Sequence, residues 1–202
     1  MMTKKEMKIL EIFKGNLFSK YTIREMMKAL NTRSYNWTYT AIIKLKKENI
    51  LKLERKGKSE ICSINLDEQK TIAYLAFLEA VRPKNIPHEK KIIGFMPSDF
   101  HILIVAGSYA NNTQTKESDL DLVAIIDKRE ERMQVLNKLQ REGELMLPPL
   151  HPFVFTNKEF LEMLAEKEEN YGKEIFRKHI VITGAEFYFK LVKEAIDHGF
   201  KG

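Results

Sequence analysis

Asp119 and Asp121 stand two residues apart at the head of the apolar run Leu120-Asp-Leu-Val-Ala-Ile-Ile126. A buried strand is expected to start at Asp119, so both carboxylates would point to one face while Leu120, Leu122 and Ala124 point to the other. Paired carboxylate oxygens suit a divalent cation such as Mg²⁺ (or Mn²⁺), and a cation held this way also grips substrate phosphates. Upstream, a second apolar run from Phe100 to Ala106 leads into Gly107-Ser108. Gly107 lets the backbone turn tightly and approach a phosphate, and Ser108 adds a hydroxyl and an amide at an expected helix N-terminus, where anions are favoured. An isolated Asp-x-Asp is expected roughly 0.7 times in a chain of this length. Adding Gly-Ser at a fixed offset lowers the expectation to the order of 0.004.

Gly107-Ser108, ten intervening residues and Asp119-Leu120-Asp121, between two strands, resemble the signature of the nucleotidyltransferases of the DNA polymerase β superfamily, in their small "minimal" form. Ser118 before the first aspartate and Ala110 two residues after the serine also match. The resemblance covers about residues 92 to 190. It implies a mixed sheet with helices packed on one side, and transfer of a nucleoside monophosphate from an NTP to an acceptor hydroxyl with release of pyrophosphate. Asp119 and Asp121 would then hold the metals, and Gly107, Ser108 and Ser118 the nucleotide.

Two positions depart from that pattern. Asn112 stands where a second glycine is common, a substitution that Asn tolerates because it enters the left-handed region more readily than other residues. The later strand, Leu147-Pro-Pro-Leu-His-Pro-Phe-Val-Phe-Thr156, lacks the third carboxylate that active members usually carry. His151 falls at that place. A neutral imidazole could act there as base or ligand, although Mg²⁺ binds imidazole poorly, or it simply fills an edge-strand position between prolines. Glu144 and Asp127 are the fallback carboxylates, each also readable as a solvated surface acid.

The elements ahead of this motif have a different character. Met7, Ile9, Leu10, Ile12 and Phe13 recur at helical spacing, with Gly15-Asn16 as a left-handed stop. Thr22 and Glu25 form a capping box for a short second helix, and a third follows Ser34 with Thr38, Ala41, Ile42 and Leu45 facing inward. Two alternating runs around Arg55-Lys-Gly-Lys58 predict a hairpin with a basic tip. This order resembles a winged helix-turn-helix. The resemblance implies that Tyr35, Asn36, Tyr39 and their neighbours Trp37 and Thr40 lie near bases or phosphates of double-stranded DNA, with Arg33, Lys44, Arg55, Lys56 and Lys58 on phosphates. Trp37 and Tyr39 are also readable as core or domain-interface aromatics, and such modules also dock proteins.

Charge divides the same way. Residues 1 to 66 carry 15 Lys and Arg against 6 Asp and Glu, a net +9, and the remainder carries 19 against 22, a net −3. A basic block of this kind suits a polyanion. The expected architecture is therefore a two-domain chain of the α+β or α/β class: a winged helix over 1-66, a connector helix and linker over 67-90 that Pro83 and Pro87 end, and a nucleotidyltransferase-like domain over 91-202. The acceptor, a protein, nucleic acid or small molecule, is open, and a homodimer is a further expectation. The alternative is a DNA-binding regulator whose nucleotidyltransferase domain has lost catalysis and senses nucleotide or binds a partner. Cys62 is the one cysteine, so an internal disulfide or a cysteine-based metal site is excluded. The absence of a long apolar stretch and of a leader pattern sets the expectation of a cytoplasmic protein without a membrane span.

Overall fold

The computed structural model describes residues 2–82, 85–96 and 101–202. Pro83 and Phe100, expected as a helix stop and a strand start, lie outside these residues. The chain forms two compact units, Met1–Leu78 and Glu79–Gly202.

In the first unit, α1 (Lys4–Gly15) opens on a Thr3/Glu6 capping box and α2 (Ile23–Ala29) on the Thr22/Glu25 box. Each box lets two otherwise orphaned amides find oxygen partners. Gly15 lies within α1, which closes at Asn16 with an extended backbone, φ −156°, so the expected left-handed stop is absent. Ser34 caps α3 (Tyr35–Lys47), where the Thr38 hydroxyl also donates to the Ser34 carbonyl at 2.9 Å. β1 (Tyr21–Thr22), β2 (Leu51–Lys56) and β3 (Ser59–Ile64) form an antiparallel sheet in the order β1-β3-β2. Ile9, Leu10, Phe13, Met26, Ile42 and Leu45 are fully buried. Lys44, expected on a phosphate, has a side chain 40% exposed, but its ammonium is already paired. Its Nζ donates to both carboxylate oxygens of Glu6, at 2.9 and 3.0 Å, and ties α3 to α1.

The second unit begins inside α4 (Gln69–Val81) and continues through α5 (Glu89–Ile93). β4 (His101–Val105), β5 (Leu120–Ile126), β6 (Leu150–Thr156) and β7 (Ile180–Thr183) form a mixed sheet in the order β6-β5-β4-β7. β5 runs antiparallel to β4 and parallel to β6. α6 (Gly107–Asn111) follows β4, α7 (Arg132–Gly143) joins β5 to β6, and α8 (Asn157–Ala165), α9 (Tyr171–Arg177) and α10 (Ala185–Asp197) complete the unit. Alternation divides the sheet into two faces. Leu103, Val105, Leu122, Ala124 and Val154 pack with Val135 and Leu139 of α7 and Ile92 of α5. On the other face, the ring of Tyr171 from α9 packs on Phe153 and Phe155 of β6, and Phe187 and Leu191 of α10 line a pocket with Ile102 and Ile125. Helices thus cover both faces, not one. The correction follows from strand composition: β4 and β5 are buried along nearly their whole length, and a strand apolar on both sides needs a layer on each.

Burial raises the Glu6 carboxyl, but the Thr3 amide and hydroxyl and the Lys44 ammonium outweigh it and hold the group below its ordinary value. A carboxyl depressed in the folded state contributes stability above its unfolded pKa of about 4.3, and loses that contribution as pH falls through its folded value. Glu6→Gln is therefore expected to melt lower than the parent at neutral pH. The gap should close below about pH 4 in a pH series of thermal unfolding curves, and a gap independent of pH would contradict the assignment.

Candidate active site

The site is built at the head of β5. The Ala106 amide donates to the Asp121 carbonyl at 3.0 Å, which holds the end of β4 beside the start of β5. Gly107 then turns with φ +61°, a left-handed value that non-glycine residues rarely adopt. Space makes the same demand: a Cβ on Gly107 would lie 2.0 Å from Asp121 Oδ2. The other carboxylate oxygen, Oδ1, lies 3.2 Å from His151 Nδ1. The partner arises from register, since β5 and β6 pair Asp121 directly with His151. Asp121 is partly buried, with 26% of its side chain exposed, whereas the His151 side chain is 58% exposed at the sheet edge.

Asp119 lies one residue ahead of β5, which starts at Leu120, and is exposed. Ser108 sits half-buried in α6, and Asn112 closes that helix in the left-handed conformation with φ 54°. Ser118 accepts from the Thr115 amide at 2.9 Å, so its hydroxyl braces the loop that returns to Asp119. The fallback carboxylates are elsewhere. Glu144 is an exposed cap of α7, and Asp127 lies past the far end of β5, about 20 Å along the strand from Asp121, where the Asn157 amide donates to it at 3.3 Å. Among the described residues no group of three or more His, Cys, Asp and Glu side chains is arranged to hold a metal ion.

In the first unit, Arg33, Tyr35, Asn36, Tyr39, Arg55, Lys56 and Lys58 are exposed, Trp37 is half-buried, and Lys44 is engaged by Glu6. The rings of Tyr35 and Tyr39 stack nearly parallel, 8° apart with centroids at 6.2 Å. A mostly polar groove of about 580 Å³ is lined by Arg24, Tyr35, Arg55, Lys58 and Glu60 among others. Sequence spacing does not mark Arg24, since a lone arginine on a short helix carries no signal until the hairpin is placed beside it.

This sheet order and the convergence of Gly107 and Asp121 accompany a match of residues 90–197, more than half the chain, to the nucleotidyltransferase domain family. The chain belongs to that family. Its chemistry is nucleotidyl transfer, which implies an NTP substrate, and its domains generally use divalent metal ions. No curated protein and no solved structure matches the chain. No helix among the described residues is long and apolar enough to cross a membrane.

The contact at Gly107 makes a coupling prediction. Gly107→Ala should cost about 2 kcal/mol or more in chemical unfolding, from backbone strain plus the clash with Asp121. In an Asp121→Ala background the clash partner is gone and only the strain remains, so the two substitutions should be markedly non-additive. Strict additivity would mean that the carboxylate does not occupy this position.

Proposed function

We propose that the chain transfers a nucleoside monophosphate from an NTP to an acceptor hydroxyl, with Asp119, Asp121, Gly107 and Ser108 as its nucleotide and metal site. The observation that carries this reading is the Asp121 carboxylate pressed against the Gly107 turn, where a Cβ would displace it. A phosphate chain lying over that turn would meet backbone and the Ser108 hydroxyl at close range. Two carboxylates without a third protein ligand fit a cation that arrives with substrate phosphates and keeps several waters, which describes Mg²⁺ and also Mn²⁺. Asp119 and Asp121 would hold it, and its chemistry there is to neutralise charge on the phosphates as pyrophosphate leaves. In the transfer itself the acceptor oxygen forms a bond to the α-phosphorus, and the bond from that phosphorus to the bridging oxygen of the β-phosphate breaks. The acceptor proton passes to a base, and His151 Nε2 is the candidate, because Nδ1 faces Asp121 and fixes the ring.

A second reading is a site that binds nucleotide without transferring it. It is favoured by His151 standing beside Asp121 where active members usually carry an acid. Calorimetric titration of the full chain with each NTP, with and without Mg²⁺, tests the site under both readings. Metal-dependent binding should be lost in the Asp119→Asn, Asp121→Asn double variant, whose fold should persist. Binding unchanged in that variant would remove both aspartates from the site. Label transfer from NTP then separates enzyme from sensor.

For the first unit we propose a winged helix-turn-helix that binds double-stranded DNA, over residues 1-66, ahead of the nucleotidyltransferase-like domain. Support comes from the exposed face of α3 and the cationic groove that Arg24, Arg55 and Lys58 line. Lys44 drops out of the phosphate contacts because Glu6 holds it. Lys56→Ala, Lys58→Ala should weaken duplex binding and reduce the slope of log K against log salt by about 2. Absent or salt-independent binding would turn the unit into a protein-docking module.

A further inference from the structure

Three elements build the groove of the first unit. Antiparallel pairing sets Thr22 of β1 opposite Ile61 of β3, which brings Arg24, in the first turn of α2, beside Arg55, Lys58 and Glu60 of the hairpin. Tyr35, the first residue of α3, lines the same space.

The charge in this groove is unbalanced. Three cations, Arg24, Arg55 and Lys58, meet one acid, Glu60. Arg55 and Glu60 are cross-strand partners, yet the Arg55 Nε donates to the Gly57 carbonyl at 3.4 Å. Among the described residues no ion pair engages Arg24, Arg55 or Lys58. Like charges gathered in one concavity repel each other and draw in an anion. The Thr22 and Glu25 amides at the start of α2 are taken by the capping box, so side chains are left to meet that anion.

The second feature is aromatic. Tyr35 is 51% exposed, and Tyr39 lies nearly parallel to it and backs one side of its ring. Every base has a π-face and every nucleotide a phosphate, so a bare ring beside clustered cations matches a nucleotide whose base is free to stack. Paired bases already stack on their neighbours in the duplex, and only an unpaired one can use the ring. A space of about 580 Å³ lies within the range of about 300–1,000 Å³ that encloses a small organic ligand, so a nucleotide fits. Glu60 is an acceptor, which suits an exocyclic base amine such as that of adenine.

We infer that the groove holds an unpaired nucleotide of DNA, its base stacked on Tyr35 and its phosphates on Arg24, Arg55 and Lys58. The inference deepens the DNA reading above, which concerns paired DNA, by adding a single-stranded segment beside the duplex.

Fluorescence anisotropy of the full chain with three probes tests it: a blunt duplex, the same duplex with a short deoxyadenosine overhang, and the same duplex with an abasic overhang of equal length. The adenine overhang should bind about fivefold tighter than the abasic one, or more, which is the gain from one stacked base. Tyr35→Ala should bring that ratio to within about twofold of unity, and Tyr35→Phe, which keeps the ring, should retain it. Arg24→Ala should weaken both overhang probes alike. A parent ratio near unity, a ratio that survives Tyr35→Ala, or overhang affinities indifferent to Arg24→Ala would each overturn the inference. In those cases the duplex reading stands as long as the blunt duplex binds with a steep salt dependence. An adenine gain without any binding of the blunt duplex upholds the inference and removes the duplex reading, and if no probe binds, both fall together.

Discussion

The approach of the Asp121 carboxylate to the Cα of Gly107 is the constraint on which the site depends. Both partners are pinned by backbone: β5 carries Asp121, and the Ala106 amide bonds the Asp121 carbonyl just before the chain turns. The turn has a positive φ, and a Cβ there would push the carboxylate aside, so conformation and the placement of Asp121 favour the same residue. The loop that follows, braced by Thr115 and Ser118, has only to bring the chain back into β5.

From Asp121 the structure extends sideways along the sheet. Parallel pairing with β6 brings His151 to its carboxylate, and the same alternation lines up Phe153 and Phe155 beneath Tyr171. An aromatic face excludes water, and excluding water strengthens whatever charge and hydrogen-bond interactions remain. The His151 imidazole itself stays exposed at the sheet edge, beside a carboxylate that sets which ring nitrogen carries the proton.

Charge in the first unit divides between structural and solvent-facing groups. Lys44 is spent on Glu6, whose carboxylate also serves the capping box of α1, so one acid closes a helix end and joins two helices. The hairpin cations Arg55 and Lys58 instead border an open groove with Arg24. A net charge counted along the chain cannot separate these roles, because an ion pair across 38 residues leaves no local pattern.

What the sequence determined by itself is what acts over one helical turn or one strand repeat. The capping boxes at Thr22 and Glu25, the inward stripe of α3, the left-handed backbone of Asn112 and the Gly107 turn were legible because capping, periodicity and backbone sterics are local. The one-residue error at Asp119 and the misread stop at Gly15 also fall at element ends, where local signals are weakest. Only the tertiary structure decided that helices cover both sheet faces, that Lys44 belongs to Glu6, that Arg24 meets the hairpin, and that Tyr171 comes to the face shared by Asp121 and His151. Each of these pairs residues far apart in the chain, and their meeting is set by strand register and helix packing, which depend on the whole core.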